Sequence, residues 1–292
     1  MKVHHLNCGT MCPRPSQWIH GQGGLRRGRL VCHCLLIETN QGLLLVDTGL
    51  GTRDIADPHR LGRAFNIVAQ PKFDSQETAL HQLRALGYAP GDVRHIVATH
   101  ADLDHIGGIA DFPDATVHIY EDEYRAILER STFLERHRYR RCQWNTHTKW
   151  EAHPLAGERF EGFDAVRPIA NLSEVLLVPL PGHSRGHAGV AVHTQDGWLL
   201  HAGDAYFHRA QLDPERPYTP VGLAAHQRVM DFDTRLRHEN QERLRVLRAE
   251  RGTQIQIFCS HDPMEFDICC RTEQAIEQSR IHVEDEGRGH YT

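Results

Sequence analysis

The sequence predicts an α/β fold that carries its chemistry on one sheet edge, and three observations support this. First, short apolar runs end repeatedly in histidine or aspartate. Ile96-Val97-Ala98 leads into His100-Ala101-Asp102-Leu103-Asp104-His105, and Val175 to Leu180 into Pro181-Gly182-His183-Ser184-Arg185-Gly186-His187. Trp198-Leu199-Leu200 leads into His201-Ala202-Gly203-Asp204, and Ile255-Gln256-Ile257-Phe258 into Ser260-His261-Asp262. Second, strand-like runs alternate with segments of helical spacing. Third, Leu44-Leu45-Val46-Asp47-Thr48-Gly49 and Leu199-Leu200-His201-Ala202-Gly203-Asp204 share a pattern, which suggests two related halves in one sandwich. Four strand ends delivering His and Asp place them along one edge, where α/β proteins build their sites.

The elements follow in chain order. Leu35-Leu36-Ile37 and Leu43 to Val46 flank Asn40-Gln41-Gly42 and read as a hairpin. Thr78 to Leu86 places Leu80, Leu83 and Leu86 at helical spacing and is stopped by Gly87 and Pro90. Arg94 to Ala98 is a strand feeding the His100 loop. Glu121 to Gly162 is polar, and its first part, to Arg141, is compatible with helix. Val190 to His193 and Trp198 to Leu200 form a second hairpin around Gln195-Asp196-Gly197. From Asp233 to Arg248, Leu236, Leu244 and Leu247 predict a helix covering the sheet, and Gly287 to Thr292 reads as a frayed tail.

The His100 loop packs four candidate metal ligands, His100, Asp102, Asp104 and His105, into six residues. Imidazole with carboxylate suits zinc, iron or manganese. Ligands turned towards two loci suggest two ions side by side, an arrangement suited to activating water. Two plainer explanations compete. The chain holds 23 histidines, so some clustering is expected by chance, and an Asp-rich turn can simply cap a helix.

With the other strand ends added, the chain resembles the metallo-β-lactamase superfamily. The matching pieces are Asp47-Thr48-Gly49, the His100 to His105 loop, Gly182-His183 through Gly186-His187, Gly203-Asp204 and His261. The resemblance implies a four-layer αβ/βα sandwich, making 1–292 a single domain with a polar helical insertion at about 121–162. It also implies one metal bound by His100, Asp102 and His187, a second by Asp104, His105 and His261, and Asp204 bridging them. Asp104 would also carry the proton to the leaving group, with Asp47 behind the ligands fixing a histidine tautomer. His183 and His201, which flank ligands, read as structural. The family's common pattern has histidine where this chain has Asp102, so direct ligation by Asp102 is the leading expectation, and weak binding at this site or an Asp102 that only orients a ligand from behind are the alternatives. The expected cofactors are two divalent metal ions, zinc first, with iron or manganese as alternatives because of the Asp102 carboxylate.

Composition narrows the class. No apolar run approaches the length of a membrane span, and Met1-Lys2-Val3-His4-His5 lacks a signal-peptide core, so the expectation is a cytoplasmic protein. The eight cysteines read as free thiols. Arg136, Arg138, Arg140 and Arg141 form a basic stretch, but a net charge of −5 argues against a nucleic-acid partner. A solvated face or subunit contact is the expectation there, and a homodimer is the one macromolecular partner left open.

The resemblance is nearest to the N-acyl-homoserine lactonases, in size and in the Cys8-Gly9-Thr10-Met11-Cys12-Pro13 opening. It implies hydrolysis of a lactone or similar carboxylic ester. Tyr206 is a candidate oxyanion donor, and Trp18, Tyr206 and Phe207 are candidates for an apolar acyl wall. The alternatives are a glyoxalase II-like thioesterase, with Arg185 and the 136–141 stretch as candidate carboxylate binders, and a diiron redox protein.

Overall fold

The computed structural model describes residues 1–144 and 146–288, with side chains described to residue 278. Among these residues two six-stranded sheets face each other. The first runs in the order β1 (Lys2–Asn7), β2 (His33–Thr39), β3 (Gly42–Val46), β4 (Val93–Val97), β5 (Thr116–Tyr120), β6 (Lys149–His153). The second contains β7 (Glu158–Phe160), β8 (Phe163–Ile169), β9 (Leu172–Pro179), β10 (Ala188–Thr194), β11 (Gly197–His201) and β12 (Ile255–Phe258), stacked in reverse order. Both expected hairpins form: β2 pairs antiparallel with β3, and β10 with β11. Each is followed by a parallel neighbour, β4 on β3 and β12 on β11. This shared hairpin-plus-parallel-strand unit is the physical form of the two related halves.

Ten α-helices accompany the sheets among the described residues: α1 (Ser16–His20), α2 (Thr52–Ala56), α3 (Arg63–Ala69), α4 (Ala79–Ala85), α5 (Leu103–Ile106), α6 (Glu121–Glu129), α7 (Phe133–Arg138), α8 (Val221–Met230), α9 (Thr234–Arg251) and α10 (Pro263–Arg288). Three apolar layers result. Leu35, Leu44, Val97, Leu177 and Val190 fill the space between the sheets. Leu83 of α4 and Ile127 of α6 pack beneath Ile96 and Val117 on the outside of the first sheet. Leu244 and Leu247 of α9 cover Leu200 and Ile257 on the second. The result is the four-layer sandwich. None of the described helices is long and apolar enough to cross a membrane.

Two local expectations change. The 121–162 segment is helical only through α6 and α7; its later part supplies β6 and β7, the edge strands of the two sheets. Backbone pairing to β5 and β8 overrides its polarity. The expected tail from Gly287 is helical through Arg288, and residues 289–292 lie outside the described residues.

Candidate metal centre

The strands deliver their ends to one edge. β4 ends at Val97, and the chain turns through His100 and Asp102 into α5, which carries Asp104 and His105. Asp102 occupies the N-cap position of α5, yet its side chain makes no capping bond. The capping explanation therefore fails, and the carboxylate is directed elsewhere. The loop after β11 brings Asp204, and the loop after β12 brings His261. All six side chains are buried.

Their ligand atoms form two groups meeting at Asp204. In the first, Oδ2 of Asp102 lies 3.3 Å from Nε2 of His100 and 3.1 Å from Nε2 of His183. Oδ2 of Asp204 closes this group at 3.7 Å from His100 and 3.5 Å from His183. In the second, Oδ1 of Asp204 lies 3.4 Å from Nε2 of His105 and 3.1 Å from Nε2 of His261. Oδ2 of Asp104 stands 3.7 Å from the same His261 nitrogen. Cys32, a buried free thiol, joins Asp104 and His261 in a third overlapping cluster.

The outer contacts aim the imidazoles. Asp47 accepts from Nδ1 of His105 at 2.8 Å, and from the backbone N–H and hydroxyl of Thr99, both at 2.8 Å. The Val31 carbonyl accepts from Nδ1 of His261 at 2.7 Å. Each contact engages the far nitrogen, Nδ1, and turns Nε2 towards the cluster. Burial alone would lower the pKa of His105, but the carboxylates of Asp204 and Asp47 outweigh it and raise it well above the ordinary value. The same logic runs in reverse at Asp204: burial opposes its charge, while His261 and His105 hold its carboxyl well below the usual range.

His187 does not join the cluster, whereas His183 does. The two sit in one loop between β9 and β10, and the path of that loop decides between them. His187 is at its base: its carbonyl accepts from the Leu180 N–H at 2.9 Å, and its Nδ1 donates to the Leu180 carbonyl at 2.9 Å. Its Nε2 is taken by the backbone N–H of Asp204 at 2.8 Å. His183, at the tip, reaches the ligand atoms of His100, Asp102 and Asp204. At Gly186 the loop passes so close to α6 that an added Cβ would stand 2.3 Å from the backbone nitrogen of Glu123. Glu123 clamps this junction, its buried carboxylate accepting from the N–H groups of Gly186 and Ala101 at 3.0 and 3.1 Å. His201 is structural, with Nε2 on the His33 carbonyl at 2.6 Å.

Two further expectations are corrected. Tyr206 is fully buried, and its hydroxyl donates to Glu265, whose carboxylate oxygens lie 2.9 and 3.1 Å away. Its single O–H proton is committed there, so it supplies neither an oxyanion donor nor cavity wall. Arg138 is not on a solvated face. Its Nε meets Oδ1 of Asp102, and Nη2 meets Oδ2 of Asp102 at 2.9 Å and Nε2 of His183. Nη1 donates to the carbonyls of His183 at 2.9 Å and Met230 at 2.7 Å. Against the cost of burial, this guanidinium holds the Asp102 carboxyl well below its usual range, and the carboxylate raises the arginine in return. Sequence patterning shows Arg138 only as one charge in a basic run. Cys32 and Glu123 likewise become recognisable only once distant segments meet.

The cluster opens onto a cavity of about 640 Å³. Asp102, Asp104, His183, Asp204 and His261 lie at its floor, and Met11, Trp18, Phe65, Leu103, Phe207 and Val229 are among its apolar walls. Arg185, a candidate carboxylate binder, is instead paired with Glu135 at 2.8 Å.

The arrangement defines a class, a buried His/Asp cluster that could hold metal at the edge of an αβ/βα sandwich, and comparison with known proteins assigns the family. The metallo-β-lactamase superfamily model matches residues 27–250, and the chain belongs to that superfamily. It is 44% identical over 264 residues to a probable metallo-hydrolase of Mycobacterium tuberculosis, covering 90% of this chain and 81% of the relative. It is 28% identical over 242 residues to an N-acyl homoserine lactonase of Bacillus thuringiensis, covering 82% of this chain and 83% of that protein. Among solved structures, an N-acyl homoserine lactone hydrolase with N-hexanoyl-L-homoserine at its catalytic metal centre superposes with a TM-score of 0.68 at 22% identity, covering 92% of this chain and 96% of that one. The dizinc quorum-quenching lactonase AidC superposes with a TM-score of 0.59 at 18% identity, covering 89% and 87%.

Proposed function

We propose that this chain is a dinuclear metal-dependent hydrolase that opens a lactone or similar carboxylic ester, with an N-acyl homoserine lactone as the leading candidate. One observation carries the reading: two groups of ligand atoms share Asp204 at the floor of an apolar cavity. The residues fit metal. Nε2 of His100 and Oδ1 of Asp204 are buried without hydrogen-bond partners. Separations of 3.1–3.7 Å within the groups suit donors around ions with bonds of about 2 Å.

His100, Asp102 and His183 would hold one ion, Asp104, His105 and His261 the other, and Asp204 both, with zinc the expected metal. A metal on His183 Nε2 competes with Arg138 for that lone pair, leaving Asp102 Oδ2 as the partner of this N–H. Because Arg138 neutralises Asp102, the pair brings the site no more net charge than a histidine would, which answers the charge argument for iron or manganese and leaves only the hardness of the carboxylate oxygen. When bound, such ions supply a water acidic enough to ionise near neutral pH and a Lewis acid for the carbonyl oxygen.

The chain's own residues do the rest. Asp104 borders the cavity and is placed to accept the proton of the attacking water and return it to the leaving alkoxide. Asp47 and the Val31 carbonyl, holding Nδ1 of His105 and His261, would direct the opposite nitrogens at the ions. Trp18, Phe65, Phe207 and Val229 offer an acyl chain a water-excluding wall. The pairing of Arg185 with Glu135 and of Arg138 with Asp102 engages two of the proposed thioester-carboxylate binders, those nearest the cluster, which favours an oxygen ester over a glutathione thioester.

The test is proton release from a panel of acyl-homoserine lactones and simple γ- and δ-lactones, with S-acyl glutathione alongside. The protein is used with two zinc ions confirmed, and Asp104→Ala as control. Acid production that rises with acyl length and disappears in the variant is expected. Silence on every lactone by protein with both ions bound refutes the assignment.

A further inference from the structure

A second set of metal-ligating side chains lies away from the cavity, on the face of β4, β5 and β6 that looks towards the other sheet. His95 of β4 is five residues before His100, roughly 16 Å back along an extended chain. Its Nδ1 lies 3.0 Å from Nε2 of His118 on β5. Nδ1 of His118 in turn stands 3.1 Å from Nε2 of His153, the last residue of β6. The two oxygens of Glu151, also on β6, flank this nitrogen pair at 3.6 Å from His118 and 3.7 Å from His153.

We propose that His118, His153 and Glu151 form a structural zinc site, distinct from the catalytic centre, that fastens the edge strand β6 to β5.

The geometry carries this. Nδ1 of His118 and Nε2 of His153 stand 3.1 Å apart, and each faces one oxygen of Glu151, at 3.6 and 3.7 Å, separations that suit donors around an ion with Zn–N and Zn–O bonds of about 2 Å. The carboxylate is too far from either nitrogen for a hydrogen bond, so it faces them without a shared proton. His95 completes the arrangement: when Nε2–H of His118 donates to Nδ1 of His95, the His118 Nδ1 lone pair is free for metal, the outer-contact pattern of ligating histidines. His118 and His153 are buried, while the Glu151 side chain is 55% exposed, so solvent reaches the fourth position. The site has a mechanical use. β6 is the outermost strand of its sheet and receives the chain returning from α7, the helix that ends in Arg138.

The experiment compares zinc bound per chain, by equilibrium dialysis against micromolar free zinc with elemental analysis, in the full-length wild type and the double variant Glu151→Gln/His153→Gln. The difference between the two isolates this site from the catalytic ions. The expected result is one zinc ion fewer in the double variant, with lactone turnover unchanged. Equal zinc content overturns the site and leaves a hydrogen-bonded histidine row. Should the double variant fail to fold, the decision passes to Glu151→Gln, whose exposed side chain the fold does not need. There, at least a tenfold weaker affinity for one ion, measured against a chromophoric chelator, upholds the site; unchanged affinity overturns it.

Discussion

Replacing Arg138 by methionine tests how the site tolerates a carboxylate at position 102. The guanidinium makes two bonds to Asp102, one to His183 Nε2 and two to the His183 and Met230 carbonyls. Methionine fills much of the volume but takes the countercharge from the buried Asp102, leaving only the imidazoles of His183 and His100 beside it. Removing one member of a buried pair costs about 3–5 kcal/mol, because the survivor keeps its desolvation penalty. For a domain of this size that corresponds to a fall in Tm of about 6–15 °C. The reverse single variant, Asp102→Leu, strands the arginine and should cost a similar amount. Arg138→Met/Asp102→Leu removes both charges, so its loss should fall short of the sum of the singles by about 3 kcal/mol, the signature of direct coupling. Urea unfolding of the four proteins at matched zinc content measures this. If Arg138→Met costs less than about 1 kcal/mol, or the singles simply add, the pairing does not hold Asp102 in place and the account of its charge is wrong.

Other outcomes follow from the same geometry. His183→Ala should lower the zinc bound at the catalytic centre, while His187→Ala should retain the metal and lose about 1–3 kcal/mol by stranding the Leu180 carbonyl and Asp204 N–H; metal analysis with unfolding curves separates the two. Tyr206→Phe should leave lactone turnover unchanged while reducing stability by about 1–3 kcal/mol, since Glu265 loses its donor, and a loss of turnover at full metal content would return Tyr206 to the mechanism. Burial, with Asp262 nearby, raises Glu265 from 4.5 to about 7. The native state therefore holds this proton more tightly than the unfolded chain, and the resulting stability is fully present below pH 4.5 and lost as pH rises through about 7. Between pH 4.5 and 8 the wild type should lose roughly 3 kcal/mol more than Glu265→Gln, and parallel profiles would contradict the raised pKa.

What could be read from the chain and what could not divide along the range of the interactions. The hairpins at 35–46 and 190–200, the helix after Thr78 and the strand ends carrying His100, Asp104, His105, Asp204 and His261 all follow from local pattern. An apolar run of period two needs a sheet, and the polar residues that end it must leave at the sheet's edge. That placement brings these five together without knowledge of any distant contact.

The choices that failed depend on contacts between distant segments. His183 and His187 lie four apart in one loop with like neighbours, and only the Leu180 contacts that pin His187 to the loop base decide which one joins the His/Asp cluster. Arg138 has the same local character as Arg136 and Arg140; it turns inward because Asp102, 36 positions away, needs a countercharge out of water. Tyr206 follows Asp204 by two residues yet donates its proton to Glu265, 59 positions on. Periodicity determined where the ligands leave the sheets, because it is a property of neighbours along the chain. Tertiary structure decided their partners, because desolvated charges and hydrogen-bonding groups must be satisfied by whatever the fold places beside them.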